Sequence, residues 1–164
     1  MNHHLLLLVA AALFGAAAVQ ANSAFANTTD LNLKDQTIIY SKELHVTSNG
    51  WTMFKQCDSR WAYQELGTCS SQTICSAGCA MSSVAMILAT KGSNKDPGSL
   101  DSWLTNNGGY SGGCNINWAS VDALGYTTFM GKQNPTYQEM CDGLSAGHGL
   151  VANVHNGGHW VLLT

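Results

Sequence analysis

Six cysteines, Cys57, Cys69, Cys75, Cys79, Cys114 and Cys141, all fall in the last two thirds of the chain. In an exported protein an even set of this size reads as a disulfide framework. Three bridges among six thiols can be drawn in about fifteen ways, so sequence alone does not give the pairing. Reserving one cysteine for chemistry leaves five, hence two bridges at most and one thiol over. The parity of the cysteines therefore bears on fold and function together.

The start of the chain supports export. Leu5 to Val19 reads LLLLVAAALFGAAAV, without a charge. That is short of the roughly 20 apolar residues of a membrane span and suits the core of a signal peptide. Small residues at Val19 and Ala21 suit cleavage after Ala21, and Ala24-Phe25-Ala26 offers a second cut. The preceding MNHH has no Lys or Arg, which is weak for such a segment. The expected organisation is a signal peptide over 1–21, a polar lead-in over 22–50 and one domain over 51–164. Only 10% of residues are charged, with a net charge of −3. No basic patch exists to hold a phosphate backbone, which argues against nucleic acid as a partner. Once the signal is removed, no membrane association is expected.

QTIIYSKELHVTS carries the β-branched residues and short alternation of one or two strands. Residues 50–78 read as a long loop. CAMSSVAMILATKG then places Met81, Val84, Ala85 and Leu88 on one helical face, with Lys91 and Gly92 as stop signals. Shorter helices are expected in SLDSWLTNNGG, through Leu100, Trp103 and Leu104, and in NWASVDALG, through Trp118 and Val121. YTTFM reads as a strand. Thr136 and Glu139 form a capping-box pattern ahead of Tyr137, Met140 and Leu144. LVANVH, NGG and HWVLLT make a hairpin. Helices first and strands last predict an α+β domain with a C-terminal antiparallel sheet.

Two residues suit thiol chemistry. Cys79 falls in the first turn of the best helix, where free N–H groups and the helix dipole favour a thiolate. Gly78 lets backbone approach closely there. His159 heads a strand, a rigid mount for a general base that must also protonate a leaving group. His155 competes with it, while His45 and His148 lie in less ordered contexts. His155 and His159 also read H-x-x-x-H. The glycines between them break any helix and no H-E-x-x-H glutamate is present, so a metal is not expected.

KQCDSRW, LG, TICSAGCAMSSVAMIL, SLDSWLTNNGGY and GGHWVLLT, in that order, resemble the papain-like cysteine peptidases, in the branch of the bacteriocin-processing double-glycine peptidases (family thirty-nine-like). The match runs from about Phe54 to Thr164, and its most specific pieces are Gly78-Cys79-Ala80-Met81 and Gly158-His159-Trp160-Val161-Leu162. The resemblance implies a papain-like α+β fold, with the cysteine-bearing helix packed on the C-terminal sheet. It implies Cys79 as nucleophile and His159 as base. It also implies a glutamine donating to the oxyanion, at Gln56, with Gln72 as the rival position. No cofactor is implied. The substrate is expected to be a peptide or protein, with a cell-wall peptide as a close variant.

Such enzymes usually orient the histidine with an Asp or Asn on a following strand, and here nothing follows Thr164. Asn153 and Asp58 are the polar residues to inspect in its place. The resemblance therefore suggests that C-terminal strands are missing, together with the partner of one unpaired cysteine. Cys69 and Cys75 are close enough in sequence for a local bridge. Trp51, Trp61, Trp103 and Trp118 are more often core anchors than cleft walls; Trp160, beside His159, is the best wall candidate. The expected function is a secreted thiol hydrolase cleaving peptide amides through Cys79 and His159. The alternative is a catalytically inactive, disulfide-stabilised secreted binding protein of the same fold.

Overall fold

The computed structural model describes residues 37–40 and 50–164. The expected signal peptide, His45 and most of the lead-in lie outside the described residues. In chain order the elements are β1 (Thr37–Tyr40), β2 (Glu65–Leu66), β3 (Cys69–Thr73), α1 (Ile74–Ala77), α2 (Cys79–Thr90) and α3 (Pro97–Asn106). There follow β4 (Tyr110–Ser111), β5 (Asn115–Ile116), a 3₁₀ helix (Trp118–Leu124), β6 (Phe129–Gln133), α4 (Tyr137–Ser145), β7 (Gly149–Val154) and β8 (His159–Leu163).

The class is α+β with antiparallel sheets. The main sheet runs β6-β1-β7-β8, and each neighbouring pair is antiparallel. The expected hairpin is present, turning through His155–Gly158 with Gly158 N–H donating to His155 O at 3.1 Å. It does not stand alone, however. β1, from the segment read as lead-in, is an inner strand between β6 and β7. Its residues Thr37 to Tyr40 are all buried, as a strand covered on both faces must be.

Alternation along the strands divides the core in two. Ile38, Tyr40, Val151, Trp160 and Leu162 face α2 and join the large cluster with Met81, Val84, Ile87 and Leu88. Ile39, Leu150 and Leu163 face the other way, against Met140 and Leu144 of α4. The four positions read as one face of α2 are buried, but so are Met86 and Ile87. The helix lies between the sheet and α3, so its apolar stripe is wider than a surface helix needs. Truncating a fully buried residue such as Leu88 to Ala costs about 2–5 kcal/mol.

The helix ends follow their sequence signals. Past α2, Ser93 N–H returns to Leu88 O at 2.9 Å around Gly92, and Lys91 Nζ donates to Gly147 O at 2.9 Å. α3 opens with Pro97 behind an Asp96–Ser99 capping box, and α4 opens with the expected Thr136–Glu139 box. The segment NWASVDALG is a 3₁₀ helix, which places Trp118 and Val121 on one buried edge before Gly125 turns left-handed. YTTFM is strand only from Phe129, because Asp122 Oδ1 accepts the Phe129 N–H at 2.8 Å and pairing with β1 begins there. The loop over 50–78 is more structured than expected. It contains β2, β3 and the single turn α1, closed by a Thr73–Ser76 capping box.

Two disulfides form, Cys57–Cys75 and Cys69–Cys114, leaving Cys79 and Cys141 free. This is the two-bridge arithmetic with Cys79 reserved, but the local Cys69–Cys75 bridge is wrong. The extended strand β3 separates those residues by roughly 3.3 Å per residue, far beyond the ~7 Å limit between bridged Cα atoms. Among the described residues no helix is long and apolar enough to cross a membrane.

Candidate functional site

Cys79 is the first residue of α2. The turn that delivers it there is tightly built. Thr73 and Ser76 cap α1, and Gly78 then ends it with N–H to Ile74 O at 2.8 Å. A Cβ at Gly78 would lie 2.6 Å from Ile74 O, so only glycine lets α2 begin this close to α1. The Cys57–Cys75 bridge ties α1 to the preceding loop. The first rung of α2 is Ser82 N–H to Gly78 O at 2.8 Å, and no side chain caps the helix. The N–H groups of Cys79, Ala80 and Met81 thus lie ahead of the ladder, at the positive end of the helix.

In front of this end is a cavity of about 530 Å³. Cys79 and Ala80 form one side of it. The β4–β5 hairpin and the residue after it supply Ser111, Asn115, Ile116 and Asn117. Trp118, Phe129, Lys132 and Trp160 close it from the sheet side. Trp118 and Trp160 meet with ring centroids 4.9 Å apart, tilted by 57°. The hairpin is held by the Cys69–Cys114 bridge and by Thr68 N–H donating to Gly113 O at 3.0 Å. Behind it, the buried Asp101 carboxylate accepts from Tyr110 OH (2.6 Å), Gly67 N–H (2.9 Å) and Gln64 Nε2 (2.7 Å). Burial, followed by the Asp101 bond and charge, pushes the Tyr110 phenol well above its usual range.

The other residues singled out in the sequence lie elsewhere. Gln56 does not face the cavity. Its Nε2 donates to Ile74 O at 2.9 Å and to Cys75 O at 2.8 Å, so both amide hydrogens are engaged in holding α1. An amide committed in this way has no hydrogen for an oxyanion. Gln72 is not on the wall either; its Oε1 accepts from Ser76 Oγ at 3.0 Å. His159 heads β8 as expected, but it belongs to the same row as Val161 and Leu163, the row on the α4 side. Trp160, not His159, reaches the cavity. The structure thus brings Cys79 together with Trp160 and not with His159 or Gln56.

The two candidate orienting residues fare no better. Asn153 pairs with Trp160 on the α2-facing row, opposite to the row of His159, and its Oδ1 is buried without a hydrogen bond. Asp58 is bound by Arg60 at 2.9 and 3.0 Å, which lowers its carboxyl to about 2. The rings of His155 and His159 are 6.4 Å apart. Among the described residues no group of three or more His, Cys, Asp or Glu gathers to hold a metal. His148 borders a second cavity, on the α4 side of the sheet, with Glu139 and Asp142.

Of the tryptophans, Trp118 is the one of the four core candidates that also walls the cavity; Trp61 is buried and Trp51 and Trp103 pack partly buried on the core. Sequence reading missed Phe129, Lys132 and the β4–β5 hairpin. The signal for the hairpin was there, in Gly112-Gly113 between two short polar runs beside Cys114. Comparisons with protein-family models, curated proteins and solved structures find no match for this chain.

Proposed function

We propose that the protein is an exported thiol hydrolase acting on peptide amides through Cys79. One observation carries this reading: a free thiol on the first residue of an uncapped twelve-residue helix, opening on a 530 Å³ aromatic-walled cavity. Four of the six cysteines are bridged, which fits an oxidising compartment, yet Cys79 is kept apart from that framework. The thiolate would attack the amide carbonyl carbon, forming the C–S bond. The N–H groups of Cys79 and Ala80, ahead of the first helix rung, are the donors this reading assigns to the developing oxyanion, a role worth about 3 kcal/mol per donor in such sites. Gln56 serves this mechanism as a brace for α1. In this reading His159 takes the thiol proton and gives it to the leaving amine as the C–N bond breaks, and water then hydrolyses the thioester, returning the thiol.

His159 is the base that the resemblance implies. Its row faces α4, so the cycle requires the imidazole to come round the end of edge strand β8, beside the exposed turn His155–Gly158. That placement favours a second reading, a binding protein that keeps the cavity and not the catalysis. An epoxide directed at thiols separates the two. Stoichiometric labelling of Cys79, abolished in His159→Ala, supports the hydrolase. Slow labelling that ignores His159→Ala supports the binding protein, and finding Cys79 in a disulfide of the purified protein would sink the hydrolase outright.

A further inference from the structure

We propose that Lys132 selects ligands carrying a carboxylate, so that the Cys79 cavity prefers peptides with an acidic group beside the bond presented to the thiol. This deepens the peptide reading above and rests on it. Lys132 is the one charged residue among the cavity walls, which are otherwise aromatic, aliphatic or neutral polar. Among the described residues the single ion pair is Arg60–Asp58, so Lys132 is not neutralised by a carboxylate of the domain. Lys132 is exposed at the cavity wall, so its charge reaches a bound anion through solvent and is open to screening by salt.

The geometry that brings Lys132 there is specific. Phe129 and Lys132 are three residues apart on β6, and strict alternation would send them to opposite faces of the sheet. Both nonetheless wall the same cavity. A β-bulge makes this so. Lys132 pairs with Ile38 and Gly131 with Ile39, but Tyr40 pairs with Phe129, leaving Met130 as the extra residue. Gly131 absorbs the irregularity with φ +119°. Met130, displaced, lines the cavity on the opposite side of the sheet. An edge strand uses Lys to repel other strands on either face. A lysine kept only for that would not need a bulge to share a face with Phe129.

The probe is a pair of small alkylating agents of similar size, anionic iodoacetate and neutral iodoacetamide. Rates at Cys79 are measured at one pH in a Cys141→Ser background. Lys132→Gln should lower the iodoacetate-to-iodoacetamide rate ratio about fivefold, and Lys132→Glu further, with the gap closing at high salt. Iodoacetamide reports any change in thiolate fraction or fold that both reagents share, so the ratio isolates the effect of Lys132 on the reagent's charge. An unchanged ratio in both variants overturns the proposal. A thiol inert to both reagents would instead defeat the hydrolase reading. Lys132 is then judged on peptide binding, followed by fluorescence of Trp118 and Trp160. Acetyl-Ala-Glu-Ala-amide should bind several-fold more tightly than its Gln counterpart if a side-chain carboxylate is read. Acetyl-Ala-Ala-Ala with a free C-terminus should do so if a terminal carboxylate is read. Equal binding of all three, or preferences that survive Lys132→Gln, overturns it.

Discussion

Replacing Gly78 with Ala tests the junction that places the thiol. The added Cβ would sit 2.6 Å from Ile74 O and 3.0 Å from Ile74 Cα. Both obstacles are backbone, so no side-chain rotation relieves them. Ile74 is itself fixed. It is fully buried, its N–H bonds Gln64 O at 3.0 Å, and its carbonyl accepts from Gln56 and from Gly78. Reaching an ordinary contact of 3.4 Å demands a shift of about 0.8 Å. Overpacking of this kind costs about 1–3 kcal/mol. At φ −83° alanine is conformationally welcome, and its stiffer unfolded chain offsets about 0.4–1 kcal/mol. The expected net loss is therefore about 1–2 kcal/mol. Because Gly78 O accepts the first rung of α2, the shift passes to Cys79. Urea unfolding gives the stability, and the iodoacetamide rate at Cys79 in the Cys141→Ser background reports the thiol's position. A Gly78→Ala protein as stable as the parent, with an unchanged rate, would refute the steric account of this junction.

The disulfides should differ in worth. Cys69–Cys114 closes 45 residues and Cys57–Cys75 closes 18, so loop entropy predicts losses of about 4 and about 3 kcal/mol for the paired Cys→Ala variants. Urea unfolding should return that order, and the reverse order would show that native contacts outweigh the unfolded chain. The Glu139 carboxylate accepts from Thr136 N–H at 2.7 Å and Thr136 Oγ1 at 2.9 Å, which holds its pKa below the usual range. A depressed folded pKa means that this contribution is present above the unfolded value of about 4.3 and lost as pH falls through the folded one. Thermal melts across that window should show a smaller acid loss in Glu139→Gln than in the parent; equal losses would remove the capping box from the acid response.

What could be read from the sequence was what local chemistry decides. The Thr136–Glu139 box, the α2 stop at Lys91-Gly92 and the hairpin around NGG each depend on a few adjacent residues. The cysteine parity was legible for a different reason, because counting needs no geometry. The pairing was not, since Cys69 meets Cys114 only after the β4–β5 hairpin folds back. β1 was recognisable as a strand, but its place inside the sheet is set by pairing with β6 and β7, roughly ninety to one hundred and fifteen residues later. Gln56 illustrates a subtler limit. Its position fitted a donor, and it is a donor, but to the carbonyls of Ile74 and Cys75.

The candidate site turns on strand parity, which sequence does not fix. Alternation says that His159 and Trp160 face opposite ways; only packing says which of them meets α2. In β8 the large apolar Trp160 and Leu162 meet the helix, because burying them adds to the core cluster on that side. Trp160 and Leu162 are partly buried there, so each gains a part of the roughly 1.5–3 kcal/mol that full burial of a large apolar side chain gives. A polar imidazole has less apolar area to gain there, so the row containing His159 turns to the α4 side. In β6 the bulge at Met130 works in the opposite sense, adding a charged residue to a face that alternation would deny it. Both choices shape one cavity. The core determines that an indole walls it where a base was expected, and the bulge supplies the cation. A ligand held there would meet a free thiol, two tryptophans and an ammonium group. If Lys132 acts as proposed, that set recognises an anion-bearing chain whether or not His159 comes round to complete the chemistry.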